Sequence, residues 1–241
     1  MTVRTRSLVA GFGLALLAAG VLTACATPAG SGSTPAPSSS SSTGGDDSEI
    51  SAAWLDNGST IGLVTLGSST CVPVAGDVSY DKGVLTVELV EPDEDAACTK
   101  DFVPRVTLVG VPEGVDPADE LEITVSGAGV TGDTDLDGVA DLPATEEYAP
   151  SAGWTGEDGQ LVILTWGSSG CPPVVENVEA TGASEVTVTF ATPPANQVCT
   201  MDMAPRGTLA VVEGLEEDSG AVAILTGAEF ADVKVPIAGT D

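Results

Sequence analysis

The sequence predicts an all-β protein made of two tandem antiparallel β-sandwich domains of the immunoglobulin-like kind. Three observations predict this fold class: short apolar runs of strand character, an internal duplication, and two cysteines in each copy. A small barrel in each copy is the alternative arrangement of the same strands.

The apolar side chains recur with the period of two that is typical of half-buried strands. Val186, Val188 and Phe190, for example, alternate with Thr187 and Thr189. The runs that predict strands cover residues 61–66, 84–90, 106–111 and 121–125, and then 161–166, 186–190, 208–212 and 222–225. Clusters of Gly, Pro and Asp separate these runs, as turns require.

The strands belong to two copies of one sequence, which lie about 100 residues apart. The matches include Trp54 with Trp154, Gly67-Ser68-Ser69 with Gly167-Ser168-Ser169, Cys71 with Cys171, Cys98-Thr99 with Cys199-Thr200, and Pro104-Arg105 with Pro205-Arg206. We therefore place one β-domain at residues 49–145 and the other at residues 146–241. At the end of the second copy, residues 232–236 align with residues 139–143 as a last strand.

Each copy has two cysteines, which we predict to form a disulfide within that copy. The pairs are Cys71 with Cys98 and Cys171 with Cys199. The other two pairings would cross-link the copies, and the duplication argues against both. An exported chain meets oxidising conditions, and closing a loop of this size stabilises a domain by about 3.5 kcal/mol in the loop-entropy model.

The fifth cysteine, Cys25, follows a short basic segment and an apolar run, in the sequence Leu-Thr-Ala-Cys at residues 22–25. This segment resembles the lipobox of bacterial lipoproteins. The resemblance implies that residues 1–24 are a signal peptide, and that Cys25 becomes the lipidated first residue, which attaches the chain to a membrane. The apolar run is too short for a membrane span, so we expect no transmembrane segment in the mature chain.

Residues 25–48 hold the lipid-anchored cysteine and a linker of Ser, Thr, Pro, Gly and Ala, which predicts a disordered tether. Together with the lipobox, this tether predicts a protein on the outer face of the plasma membrane. The composition favours a Gram-positive bacterium.

The charge of the chain excludes several functions. It has 36 acidic and 7 basic residues and no histidine. Without Arg4 and Arg6 of the signal peptide, 36 acidic residues face 5 basic ones, a net charge of −31. Such a chain repels nucleic acid. The absence of histidine excludes Ser-His-Asp and Cys-His catalysis and the zinc sites that need imidazole.

Two of the rare basic residues occupy matching positions in the repeated motif Cys-Thr-x-Asp-x-x-Pro-Arg. Asp101 precedes Arg105 by four residues, and Asp202 precedes Arg206 by four. We predict a structural ion pair in each copy that ties the loop near the disulfide to the body. A clamp for an anionic ligand is the alternative, which the surrounding acidity disfavours.

One acidic segment of the first copy has calcium-loop spacing. Asp133, Asp135 and Asp137 precede a glycine, and Asp141 follows, which resembles EF-hand-like and thrombospondin-type calcium sites over nine residues. Ala144 stands where such a loop has its bidentate Glu, and the second copy has no matching triplet. A Ca²⁺ site and a solvated loop between the domains are the two interpretations.

No catalytic residue emerges from these patterns. The sequence predicts a lipid-anchored extracellular surface protein with a non-enzymatic binding or structural role and an unknown envelope ligand. The alternatives are a secreted hydrolase that uses paired carboxylates and an adhesin stiffened by calcium.

Overall fold

A computed structural model describes residues 49–91, 97–215 and 220–239, and these residues form an all-β protein, as predicted. The strands of the first copy are β1 (Ser51–Leu55), β2 (Thr60–Gly67), β3 (Val74–Asp81), β4 (Val84–Val90), β5 (Val103–Gly110), β6 (Leu121–Gly127) and β7 (Val130–Leu136). Those of the second are β8 (Ser151–Trp154), β9 (Gln160–Gly167), β10 (Val175–Ala180), β11 (Glu185–Phe190), β12 (Ala204–Val211), β13 (Val222–Gly227) and β14 (Phe230–Ala238). A 3₁₀ turn, Asp56–Gly58, joins β1 to β2. Within the described residues, no helix has the length and apolar character needed to cross a membrane.

The first copy contains a three-stranded and a four-stranded sheet, and the corresponding strands of the second copy join in one seven-stranded sheet. We call β1-β2-β5 and β8-β9-β12 the inner sheets, and β3-β4-β6-β7 and β10-β11-β13-β14 the outer sheets. In the second copy, Ile237 of β14 pairs with Ala152 of β8, so that the inner and outer sheets are continuous at one edge.

The outer sheets contain a parallel pair, so the prediction of purely antiparallel, immunoglobulin-like sheets is wrong on strand direction. β4 runs parallel to β6, and β11 runs parallel to β13. The chain leaves β4, forms β5 in the inner sheet, and returns beside β4 in the same direction. A parallel pair needs such a crossover. Alternating apolar residues indicate which face of a strand is buried but carry no information about its neighbour's direction.

The inner and outer sheets of one copy share one hydrophobic core. In the first copy, Trp54, Ile61 and Leu63 of the inner sheet pack with Val87 and Ile123 of the outer sheet. The second copy has an equivalent core. The outer strands are exposed on their other face, which explains the clean alternation in β4 and β6.

A third core lies between the two inner sheets. Ala53, Leu55 and Val64 of the first copy pack against Val162 and Leu164 of the second. Both faces of the inner sheets are therefore buried, and both copies belong to one compact unit. Burial on both faces explains why β1, β8 and the centres of β2 and β9 are buried at every position instead of alternating.

The eight predicted runs correspond to β2, β4, β5, β6, β9, β11, β12 and β13, and the predicted last strand, residues 232–236, lies within β14. The small or polar strands β1, β3, β7, β8 and β10 were not predicted. The structure also corrects the alignment of the last strand. The turn that closes at Gly127 and Val130 matches the turn at Gly227 and Phe230, so β14 corresponds to β7 and not to residues 139–143.

We expect that Leu164→Ala destabilises the whole described unit, because Leu164 is 1% exposed in the core shared by both copies. Truncating a buried leucine costs about 2–5 kcal/mol. Urea unfolding followed by tryptophan fluorescence measures the effect. Val211→Ala is the matched control, because Val211 is 52% exposed and its truncation should cost less than about 0.5 kcal/mol. Equal losses in the two variants would contradict the shared core.

Candidate functional site

Both disulfides form within their own copies, which confirms the predicted pairing. Cys71 is bonded to Cys98 and Cys171 to Cys199, with Cα–Cα distances of 5.4 and 5.3 Å. We call residues 67–74 with 97–105 the first disulfide end, and residues 167–174 with 198–206 the second. Each disulfide end covers one end of the inner sheet, where β2 turns toward β3 or β9 toward β10.

A network of hydroxyl groups and one carboxylate holds the first disulfide end. The Asp101 carboxylate accepts hydrogen bonds from the backbone N–H of Ser69 at 3.2 Å and from the Thr99 hydroxyl. The Thr99 hydroxyl also lies 2.8 Å from the hydroxyl of Ser68, and its backbone N–H donates to the hydroxyl of Thr70. These bonds join the two segments on either side of the disulfide.

The second disulfide end repeats most of the network, except that Gly170 replaces Thr70. Asp202 accepts from the backbone N–H of Ser169 at 3.1 Å and from the Thr200 hydroxyl. Thr200 lies 2.8 Å from the hydroxyl of Ser168, and Gly170 donates its backbone N–H to Thr200. The repeated residues Gly-Ser-Ser and Cys-Thr-x-Asp are therefore the two sides of one structural network.

The network lowers the pKa of its carboxyl groups. Hydrogen bonds from Ser69 and Thr99 stabilise the ionised form of Asp101 and lower its pKa to about 2. Hydrogen bonds from Ser169 and Thr200 lower the pKa of Asp202 in the same way. Both side chains are exposed, so these shifts come from hydrogen bonding and not from burial.

A buried arginine donates hydrogen bonds to the backbone of each disulfide end. Arg105 on β5 is 7% exposed, and its Nη1 donates to the carbonyl oxygen of Cys71 at 2.5 Å. Gly67 lies directly over the guanidinium group, where a Cβ atom would overlap Arg105 Cζ. A side chain at this position of the Gly-Ser-Ser motif would displace the guanidinium group from its present place. Thr107, two residues further along β5, donates to the carbonyl oxygen of Pro73 at 2.9 Å.

In the second copy, Arg206 on β12 has a similar place. It donates to the carbonyl oxygens of Cys171 at 3.3 Å and Trp166 at 3.0 Å. A Cβ atom at Gly167 would lie 2.8 Å from Arg206 Cζ, and the arginine also pairs with Glu229.

The predicted ion pairs are not formed. The carboxylate of Asp101 lies among hydroxyl groups at the surface, whereas the guanidinium of Arg105 is buried under the loop. Asp202 and Arg206 are separated in the same way, and the partner of Arg206 is Glu229. The spacing of four residues is not a contact here, because the chain passes from an exposed loop into a buried strand between the two positions.

The outer surface of the disulfide ends carries exposed apolar side chains. Among the described residues, the exposed large apolar side chains at the disulfide ends are those of Val74, Phe102, Val174, Val198, Met201 and Met203, and those elsewhere are Val90, Tyr148 and Val211. Phe102 is 72% exposed and Val198 is 89% exposed. Each disulfide end thus combines a hydrogen-bonded backbone with apolar side chains that are largely exposed to solvent.

Sequence reasoning missed these apolar side chains. Phe102 and Met203 occupy matching positions in the repeated motif, each between an aspartate and the proline-arginine pair. A large apolar residue retained in both copies at the centre of a polar loop was the signal that could have identified them.

The four aspartates proposed for calcium do not come together. Asp133 and Asp135 lie on strand β7, not in a loop, and Asp137 and Asp141 follow it as exposed residues. Among the described residues, no three Asp, Glu or Cys side chains form a group that could hold a metal ion. Alternate residues of a strand point to one side but are spread along it, whereas a calcium loop folds its ligands around one centre.

A cleft of about 310 Å³ lies between the two copies and is lined by Trp54, Trp154, Asp135, Asp137 and Glu157, among others. All three of these carboxylates are exposed. The cleft does not give them the desolvated environment on which carboxylate general acids depend.

We expect the side-chain carboxyl of Asp101 to titrate with a midpoint near 2 by NMR, and Thr99→Val to move that midpoint up toward the ordinary value of 3.8. Because the pKa is lowered in the folded state, the ionised carboxylate stabilises the fold above pH 3.8, and this contribution is lost as the pH falls through about 2. Thr86→Val, on the exposed face of β4, should leave the midpoint unchanged. An unchanged midpoint in Thr99→Val would contradict the network.

The predicted lipid attachment site, Cys25, and the linker of residues 25–48 lie outside the described residues. Comparison with protein-family models, with curated proteins and with solved structures finds no match for this chain. The functional interpretation of the disulfide ends therefore depends on their own geometry and chemistry.

Proposed function

We propose that this chain is a lipid-anchored extracellular protein with a non-enzymatic binding role, and that it binds its partner through the two disulfide ends. The observation that carries the proposal is the concentration of exposed apolar side chains on these ends, including Phe102, Met201 and Met203. Clustered exposed apolar groups on a soluble domain are typical of interaction sites.

The ordered backbone that carries these side chains favours a binding role for them. A disulfide, a hydroxyl–carboxylate network and a buried arginine hold the backbone of each end. A contact surface that is already ordered loses less conformational entropy when it binds. The flexible methionines Met201 and Met203 adapt to a partner's shape, and Phe102 offers a large apolar contact.

The chemistry of the same ends disfavours catalysis. The clearly shifted carboxyl pKa values, those of Asp101 and Asp202, are lowered, whereas a carboxylic general acid needs a raised pKa. The serines of the Gly-Ser-Ser motif have a structural partner in Thr99 or Thr200 and no histidine to activate them.

The proposed attachment is a lipid on Cys25. Two acyl chains give durable binding to a bilayer where one is marginal. The linker after the cysteine has 23 residues, which as a flexible coil reach roughly 25 Å. The acidic body is repelled by anionic lipid headgroups, and a tether of this kind holds it away from the membrane on the outer face of the cell.

We also propose that each copy is a β-sandwich module of the kind that extracellular binding proteins use. The support is the single core shared by the inner and outer sheets of each copy. Within that architecture, β4 lies between β3 and β6 and runs parallel to β6.

A capture experiment tests the binding surface. Residues 49–241 are secreted, immobilised and exposed to solubilised envelope of the producing organism, and retained species are compared among variants. We expect Phe102→Ser and the double variant Met201→Ser/Met203→Ser to lose at least tenfold of the retained partner, because the contact area is removed. Val211→Ser is the matched control, since Val211 is exposed but lies outside the disulfide ends.

Thermal unfolding of each variant distinguishes lost binding from lost folding, because exposed positions should change Tm by no more than about 2 °C. Retention that is equal in all variants would overturn the proposed surface.

A second experiment tests the anchor separately. In the full chain, Cys25→Ala should move the protein from the membrane fraction to the medium, and mass spectrometry of the native chain should find a lipid-modified residue 25 at the N-terminus. Thr27→Ala is the control and should stay with the membrane. An unmodified Cys25, or a native N-terminus at another residue, would exclude the lipid anchor.

A further inference from the structure

The two inner sheets pack so that equivalent residues of the copies face each other. A Cβ atom built at Gly62 would lie 2.7 Å from Val162 Cγ1, and Val162 is the residue that matches Gly62 in the second copy. A Cβ atom at Gly207 would lie 2.7 Å from Cγ1 of its own counterpart, Val106.

A third pair follows the same rule. A Cβ atom at Gly153 would lie 2.3 Å from the backbone oxygen of Trp54 and 3.3 Å from the Cβ of Ala53, its counterpart on β1. Ala53 is the ladder partner of Gly62, as Gly153 is of Val162, so these two facing pairs are neighbours across the sheets. Facing equivalents define a pseudo-two-fold axis between the inner sheets.

Two matching serines lie at the edge of this interface. Ser51 and its counterpart Ser151 are both 7% exposed, and both reach the opposite copy. The Ser51 hydroxyl donates to Gln160 Oε1 at 2.9 Å, and the Ser151 hydroxyl accepts from the backbone N–H of Asp56 at 2.9 Å. Both serines therefore cross the interface, but their partners are not equivalent, because Gln160 corresponds to Thr60 and Asp56 to Gly156.

The side chains on the axis break this symmetry in a regular way. In each of the three pairs, one residue is glycine and the other has a side chain. At Gly62 and Gly207 the valine of the other copy occupies the space left free, and at Gly153 the backbone oxygen of Trp54 lies closer than Ala53. The glycine comes from the first copy at Gly62 and from the second at Gly153 and Gly207. Two identical inner sheets would instead place valine against valine at one position and glycine against glycine at another. The first arrangement overlaps, and the second leaves a void.

We propose that the inner sheet of each copy is a pairing surface that fits the other copy and rejects its own kind. The partner of residues 49–145 is thus the second copy of the same chain, which covalent connection keeps at high local concentration. The mismatch of like with like is the repulsive element that specific pairing needs. The pairing fixes the two disulfide ends relative to each other, and the proposal stands whether or not those ends bind a partner.

Single substitutions in the full chain reproduce the rejected arrangements. Gly62→Val places valine against valine, and Val162→Gly places glycine against glycine. We expect each to lower Tm by about 5 °C, from overpacking in the first case and a cavity in the second. The exchanged variant Gly62→Val/Val162→Gly again places one valine against one glycine. It should recover at least half of the sum of the two Tm decreases.

A double-mutant cycle with smaller substitutions tests the same contact if Gly62→Val does not fold. Gly62→Ala brings a Cβ against Val162 Cγ1, and Val162→Ala removes that atom. The double alanine variant should therefore be more stable than the sum of the single losses predicts. As the matched control, Gly62→Ala is combined with Val87→Ala, a buried truncation in the separate core of the first copy, and these losses should add.

Recovery in either exchanged pair, with additive losses in the control, supports the proposal. Additive losses for Gly62 and Val162, or a Gly62→Val variant as stable as the original chain, would overturn it. Neither result depends on binding at the disulfide ends, so the two proposals fail separately.

Discussion

The structure depends on burying both faces of the two inner sheets. One face of each inner sheet packs against the outer sheet of its own copy, and the other packs against the inner sheet of the other copy. A strand in this position has no solvent side, so β1 is buried at all five positions and β2 at its five central ones. The outer sheets carry the polar alternation instead. The pairing of the copies thus adds a third, smaller core to the one that each copy forms by itself.

The ends of the inner sheets determine where the candidate site lies. Backbone carbonyl groups near the ends of the buried strands need hydrogen-bond donors. In each copy a buried arginine donates to such carbonyl groups. Arg105 and Arg206 are two of the five basic residues after the predicted signal peptide, and both bind backbone carbonyls beside a disulfide. The predicted acidic partners, Asp101 and Asp202, instead accept hydrogen bonds from the serine backbone and the threonine hydroxyl of the exposed network. The arginine and the hydrogen-bond network together hold the backbone of each disulfide end, which carries the exposed apolar side chains.

Whether a feature of the site could be predicted depends on how far apart its interacting residues lie along the sequence. The disulfides were predictable because the duplication shows which cysteines belong together. The motif containing Asp101 and Arg105 was also identified, but the contacts of both residues were not, because each depends on groups more than thirty positions away, Ser69 and Cys71. The calcium interpretation failed for a related reason. The spacing of Asp133 and Asp135 suits a loop, and only the pairing of β7 with β6 shows that these residues are in a strand.

The sequence by itself determined the all-β class, nine of the strands, the duplication and the two disulfides, because each leaves a local or repeated pattern along the chain. Only the tertiary structure decided the parallel pairing of β4 with β6, the partners of the two arginines and the matching of Gly62 with Val162. The physical reason is that side-chain periodicity records whether a face is buried, but not which surface buries it. That choice is made by shape, when two similar sheets meet and only one combination of small and large side chains fits.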